Sequence, residues 1–409
     1  AISPDGKTLY VCSRFDNNVA VIDVVAKQET ATVPTIREPV GAAMTPDGRS
    51  VFVINLLPND RADRYDVATE VTVIDRATND ASTIRLPNGS SSVRGVCASP
   101  DGKYIYAVHI LSRYQMPTTQ LERGWMNTNA MSIIDVAAGK LVNTVLLDDI
   151  DLGAARPWGV ACTADGKSIL VTHAATHELS VIDSAALMEK LASVPATEEE
   201  ARKAGRYDDR SQYSSVTVDD VPNDLAFLVG IRRRIRLPKG GPWGWLDVDP
   251  FEVNGPRGLA VIGAKAYVAV YFSDKVAVVD LEPTPGYPVT TIALGPQPVL
   301  TAQRRGELYF NDATLCFQHW QSCSSCHPDA RVDALNWDLM NDGMGNPKDT
   351  RSMILAHKTP PSMSAGVLPN ADAAIRSDAT HLLFENLADR DATAIAKYMA
   401  SLKPVPSPR

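Results

Sequence analysis

The chain lacks what binding to a polyanion requires. Its 409 residues hold 40 Lys and Arg against 48 Asp and Glu, a formal net charge of -8, and counterion-release binding needs clustered cations. Nucleic acid is therefore not an expected partner, nor is an anionic membrane surface. No apolar run reaches the roughly 18 residues of a membrane-spanning helix. The opening "AISPDG" has neither the basic nor the apolar stretch of a signal peptide. It reads as the inside of a repeat, so a natural beginning upstream of Ala1 is the expectation. Cysteine is scarce: of six, Cys12, Cys97, Cys162 and Cys316 show no evident pairing. What is plentiful, 44% hydrophobic and 22% charged residues, suits ordinary globular cores. The length exceeds one typical domain, so two or more are expected.

Five copies of one pattern organise residues 1–295. Each reads as a Pro-Asp-Gly turn, a short β run, a loop, then a Val-x-Val-Ile-Asp run: "SPDGKTLYVCS…VAVIDV" from Ser3, "TPDGRSVFVIN…VTVIDR" from Thr45, "SPDGKYIYAVH…MSIIDV" from Ser99, "TADGKSILVTH…LSVIDS" from Thr163, and a turn-altered "VIGAKAYVAV…VAVVDL" from Val261. Alternating β-branched and aromatic residues, Asp-Gly turns and four strands per unit are what a β-propeller blade requires. A β-sandwich has no reason to repeat the same order of turns. On these motifs the segment resembles the YVTN-repeat propeller family. The resemblance implies a mainly β fold with seven blades in the intact protein, of which about five are visible as repeats and one or two precede Ala1.

In such a blade the Pro-Asp-Gly turn joins the first two strands at one end, so the second-to-third-strand loop and the blade-to-blade connection lie at the other. The insertions "LLPNDRADRYDVATE" and "ILSRYQMPTTQLERGWMNTNA" follow second strands. Residues 184–255, with the helix-prone "ATEEEARKAGR", are assigned to the same end. Loops enlarged on one face suggest a binding face. Aligning the units places Ser13, Asn55, His109, His173 and Val270 at the last position of the second strand, and Val40, Arg94, Trp158 and Arg257 before the first-strand glycine. Both positions open onto the top of the central channel. A lone His there is more often a hydrogen-bonded strand-end residue. Two in successive blades, with His177 close by, make His109 and His173 a candidate second metal site, or an anion pocket with Arg94, Trp158 and Arg257. The run "RRRIR" at 232–236 reads as a solvated outer-strand face.

From about residue 296 the repeat stops, and a second domain, 296–409, is expected. It holds "CSSCH", in which both thiols of a C-x-x-C-H motif add to the porphyrin vinyls and the adjacent His supplies the proximal iron ligand. Zinc would need a second pair of soft ligands, for which Cys316 and His319 are a poor substitute. One covalent haem c on Cys323 and Cys326, with His327 on iron, is the expectation. Residues 303–403 also resemble the bacterial cytochrome c peroxidase and MauG-like family, through "GELYFNDATLCFQHWQSCSSCH" and "NDGMGNPKDTRSMILAH". The resemblance implies a small α-helical c-type cytochrome domain whose glycine loop carries the distal ligand, and here that loop reads Gly343-Met344-Gly345. Met344 is thus the expected sixth ligand, with Met340, Met353, Met363 and His357 as alternatives. Met399, at helical spacing with Ile395, Tyr398 and Leu402, reads as core. The family normally carries two haem-attachment motifs, and this chain has one. Haem attachment of this kind normally occurs outside the cytoplasmic membrane, so a periplasmic or otherwise exported location is implied.

Three readings follow. In the first, the chain is a haem c electron-transfer protein whose propeller face docks a redox partner protein or a small-molecule reductant; Met/His ligation fills the sixth site and opposes peroxide binding. In the second it is a peroxidase or MauG-like oxidoreductase with a substrate or metal ion on the propeller top. In the third it is a binding scaffold with a sensory or structural haem. The fourth strand near "TTIALGPQP" exits on the face of His109 and His173, so the haem segment is expected to begin there and to cap the pocket.

Overall fold

The computed structural model describes residues 1–116, 126–206, 215–238, 252–282, 286–296, 299–340 and 343–404. Parts of the insertions after His109 and Asp183, and of the linker after Pro296, lie outside the described residues.

Five antiparallel sheets follow one another in the order of the five repeats. The first is β1 (Thr8–Ser13), β2 (Asn18–Asp23) and β3 (Gln28–Pro34), with Ile2 bridged to Leu9 beside it. The second is β4 (Pro39–Met44), β5 (Ser50–Asn55), β6 (Glu70–Asp75) and β7 (Ala81–Arg85). The third is β8 (Ser90–Ala98), β9 (Tyr104–Ser112), β10 (Asn127–Asp135) and β11 (Lys140–Leu146). The fourth is β12 (Pro157–Cys162), β13 (Ser168–His173), β14 (Glu178–Asp183) and β15 (Arg232–Arg236), and the fifth β16 (Pro256–Ile262), β17 (Lys265–Val270), β18 (Lys275–Asp280) and β19 (Val289–Ala293). The first strands β4, β8, β12 and β16 stand side by side. The fold is mainly β and propeller-like.

One turn device recurs because the same chemistry is written each time. Thr45 Oγ1 donates to Asp47 (2.6 Å) and accepts from Ser50 N (3.2 Å), Asp47 accepts from Arg49 N (3.1 Å), and Gly48 takes a φ of +71°. Ser99 with Asp101 and Thr163 with Asp165 repeat it at 2.6 and 2.7 Å. A hydroxyl and a carboxylate close the turn, and only glycine is at ease at the left-handed position.

Residues 184–231 depart from the expected face. They connect a third strand to a fourth, so they leave and re-enter the sheet at the Pro-Asp-Gly end. The reason is that "RRRIR" pairs with β14, Leu179 opposite Ile235, as the outermost strand of its own sheet. Helix α1 (Ser184–Ser193) buries Leu187 and Leu191, while α2 (Glu198–Lys203) is capped by Thr197. The segment then reaches the opposite end through Pro222, whose carbonyl accepts from Arg113 (2.8 Å). Nor is "RRRIR" a solvated face. Arg232 and Arg234, only 4% and 11% exposed, pair with Asp149, and Arg234 also with Glu178.

The C-terminal segment is helical: α3 (Ala302–Asn311), α4 (Cys323–Cys326), α5 (Ala371–His381) and α6 (Asp389–Ser401). Helices α3 and α6 cross with Gly306 against the Ala394 backbone, and Phe310, Ile375, Ile395 and Met399 fill the core around the crossing. The segment sits on the end of the sheets opposite the Pro-Asp-Gly turns. Trp320 is buried among Leu111, Ala130, Leu146 and Leu225; Gly153 is pressed against His319 and Trp320; Ser91 Oγ donates to Asp333 O (2.9 Å), and Ala313 N to Ala175 O (3.0 Å). No described helix is long and apolar enough to cross a membrane.

Candidate functional site

The four residues of α4 make one turn, held by reciprocal capping in which Ser322 N donates to Ser325 Oγ (3.1 Å). Residues three apart on a turn share a side, and Cys323 and Cys326 both line a cavity of about 580 Å³ together with His327. Its walls are mostly apolar, with Phe310, Trp337, Ile375, Ile395 and Leu382; Lys348, Asp349, Arg351 and Asp378 are its charged members. Burial pushes the Cys323 thiol up to about 12 and the Asp378 carboxyl up to about 6, and pushes His327 down. His327 Nδ1 lies 3.3 Å from the Arg331 carbonyl. Donating Nδ1–H there makes Nε2 the nitrogen with a free lone pair, the tautomer a metal ligand needs. Asn127, from β10, donates to Cys326 Sγ (3.4 Å) and Gln321 (3.1 Å), so the sheets contribute to this cavity's edge.

The glycine loop does not reach it. Met344 is 69% exposed and stands outside the cavity, as do Met340 and His357, whereas Met353, Met363 and Met399 line it. Tight turns at Met340, Gly343 and Gly345, all with positive φ, and the bond from Gly345 N to Asp338 (2.7 Å) hold that loop to its own neighbourhood. Met353 and Met399 pack in the core around the helix crossing, while Met363 belongs to no hydrophobic cluster.

At the top of the first strands the structure brings Arg94, Trp158 and Arg257 together. Each sits where its strand slips register against the second strand, between Ser91 and Gly95, Pro157 and Val160, and Pro256 and Leu259. Such bulges re-aim side chains. The glycines that follow let the strands close up: a Cβ on Gly95 would collide with Trp158 O, and one on Gly159 with Arg257 O. As a result the guanidinium of Arg94 lies 4.5 Å and that of Arg257 4.3 Å from the Trp158 ring centroid. Two members escaped sequence reasoning. Arg156, 4% exposed, lies 5.2 Å from the same ring, and Asp329, two residues past His327, accepts a hydrogen bond from Arg94 (2.8 Å) and forms an ion pair with Arg14 (2.8 Å). Burial alone would raise the Asp329 pKa, but Arg94, Arg14 and Arg156 hold it well below the usual carboxylate range.

His109 and His173 do not join this cluster. His109 spends Nδ1 on Ile110 O (3.1 Å) and Nε2 on Ser132 Oγ (2.8 Å); His173 spends Nδ1 on Ala154 O (2.8 Å) and Nε2 on Ser180 Oγ (2.7 Å). Both are fully buried within their own sheets, and burial lowers His109 to about 4. His177 bonds Asp312 (3.2 Å) and Gly255 N (3.1 Å). Among the described residues no group of three His, Cys, Asp or Glu could hold a metal ion, so the candidate second metal site gains no support.

Asp333 gives the segment a pH signature. It accepts from Trp337 Nε1 (2.8 Å) and Leu335 N (3.1 Å), yet burial prevails and pushes it up to about 7. Its folded pKa exceeds its unfolded one, so its stabilising effect is complete below about pH 4 and is lost as pH rises through about 7. Asp333→Asn is expected to flatten this: in urea melts from about pH 5 to about pH 8, the wild-type midpoint falls more steeply than the variant's. Parallel curves would contradict the assignment.

No family model matches the chain. It is similar to the hydrazine synthase subunit beta of Kuenenia stuttgartiensis, 27% identical over 168 residues, 41% of this chain and 42% of that protein. The match spans less than half of that relative. Among solved structures it resembles Kuenenia stuttgartiensis hydrazine synthase with a TM-score of 0.54 and 26% identity, over 68% of this chain and 70% of the other.

Proposed function

We propose that this chain is a haem c electron-transfer protein, with residues 296–409 as a c-type cytochrome unit on a YVTN-type propeller of residues 1–295, exported to the periplasm. The observation that carries the reading is the convergence of Cys323, Cys326 and His327 on one apolar cavity of about 580 Å³, within the usual range of cofactor pockets. Cys323 and Cys326 would hold the porphyrin through thioethers and His327 would supply the proximal nitrogen. Bound there, the group supplies one-electron transfer. The chain's own residues exclude water and fix the ligand: the cavity walls are mostly apolar, and Arg331 O orients the imidazole. Met363, a cavity thioether not consumed by core packing, would supply the sixth ligand. A filled sixth site favours electron transfer over the peroxidase-like reading. The matched relative is by name one subunit of an enzyme, which supports a partner protein on the enlarged loops.

The test is extraction. Haem should stay with the denatured chain in acid-acetone and be lost from the Cys323→Ala, Cys326→Ala double variant; haem that leaves the wild-type chain sinks the proposal. In the oxidised protein, Met363→Ala should abolish the thioether-to-iron charge-transfer band and produce a high-spin spectrum, while Met344→Ala leaves both unchanged. The reverse outcome would restore Met344.

A further inference from the structure

The cluster around Trp158 has more positive charge than its neighbours balance. Arg94 shares Asp329 with Arg14, and Arg14 also takes Glu38 (2.7 Å). Arg156 bonds the neutral Asn311, and Arg257 lies 3.6 Å from the Tyr271 ring centroid and 4.3 Å from that of Trp158. Among the described residues neither has a carboxylate within ion-pair distance. Glu307, the other acid nearby, is held by Arg304 (2.8 Å) and the Tyr271 hydroxyl (3.1 Å). Three guanidiniums on one indole therefore face one shared carboxylate. Aromatic faces offset part of that charge, but by less than burying an unpaired ion costs.

Specific donors are left over. Among the described residues Arg94 Nε and Arg257 Nε are buried with no hydrogen-bond partner, on two side chains that flank the same ring, and the Arg94 side chain is 8% exposed. Buried donors are almost always paired. Arg156 tells the same story, since burial together with Arg94 and Arg257 lowers its pKa to about 9.

We infer that Arg94, Arg156 and Arg257 form an oxyanion site at the top of the first strands, taking a small carboxylate or an inorganic oxyanion from solution. Guanidinium forks match the planar or tetrahedral oxygens of such ligands, and Trp158 supplies a flat wall. One other source of the same chemistry is a propionate of a haem in the neighbouring cavity. That cavity has its own cations, Lys348 and Arg351, and none of Arg94, Arg156 and Arg257 lines it. The site does not depend on what the cavity holds.

The experiment uses the haem-loaded full chain and inorganic phosphate at constant ionic strength, read by thermal unfolding and titration calorimetry. Saturable, phosphate-specific stabilisation is expected in the wild type. In Arg257→Gln the apparent affinity should fall roughly tenfold or more, while Arg257→Lys retains part of it, and Arg49→Gln, on an exposed turn, changes nothing. Should Arg257→Gln fail to fold, Arg94→Gln carries the same expectation. Stabilisation no greater than that of chloride overturns the proposal. So does phosphate binding that is missing from the loaded protein and appears only in the Cys323→Ala, Cys326→Ala chain, which would give the site to a propionate.

Discussion

Replacing Gly306 by alanine should lower the unfolding free energy of the chain by about 3 kcal/mol, although the same change in an isolated helix would stabilise it by about 1 kcal/mol. The competition is decided at the crossing of α3 and α6. A Cβ at residue 306 would fall inside the Ala394 carbonyl and 2.9 Å from Ile395 N. Both are backbone, which has no rotamer to change. The helices must separate, and Phe310 and Tyr398, with ring centroids 5.4 Å apart, then lose contact along with Ile395 and Met399. Urea melts followed by near-ultraviolet circular dichroism measure the loss. A variant as stable as the wild type would mean that the two helices do not touch at residue 306.

The second large effect is expected at Asp329. Asparagine there keeps the shape and removes the charge that Arg94 and Arg14 share at 2.8 Å each. Arg94, 8% exposed, would remain as a buried cation in a cluster already short of anions, and breaking a buried pair from one side costs about 3 kcal/mol or more. An Arg94→Gln, Asp329→Asn double variant should recover much of it, giving a coupling of about 2 kcal/mol in a thermodynamic cycle. Additive losses would show that the two side chains do not interact.

Much of the sheet architecture was legible because its causes are local. The hydroxyl, carboxylate and glycine of each turn are adjacent in sequence, and they fall between the strands they were expected to join. The alignment also found Arg94, Trp158 and Arg257, since a bulge position recurs with the repeat. Partners set by register were not legible: nothing before the pairing of β9 with β10 says that His109 meets Ser132 rather than an open channel. Arg156 lay two residues before the aligned Trp158, at a position the repeat does not mark, and Asp329 was hidden because its role depends on where a loop 235 residues after Arg94 comes to rest. Met344 was placed by analogy with a glycine loop, and Asp338 ties that loop elsewhere. Helix α2 was legible in "ATEEEARKAGR" and "RRRIR" as an outer strand, but the end of the sheet that residues 184–231 occupy was not, because it depends on which strand "RRRIR" pairs with.

The seat of the C-terminal segment also sets a timetable for synthesis. Ser91 waits for Asp333 across 242 residues, Arg94 for Asp329 across 235, and Asn129 for the Trp320 carbonyl across 191. At about 5–20 residues per second, a ribosome leaves Arg94 without its carboxylate for roughly 10 to 50 seconds. During that interval the guanidinium stands in water, where an unpaired charge costs nothing. The segment bearing Cys323 and Cys326 is the last to be made, so its seat on the sheets is the last contact the chain can complete.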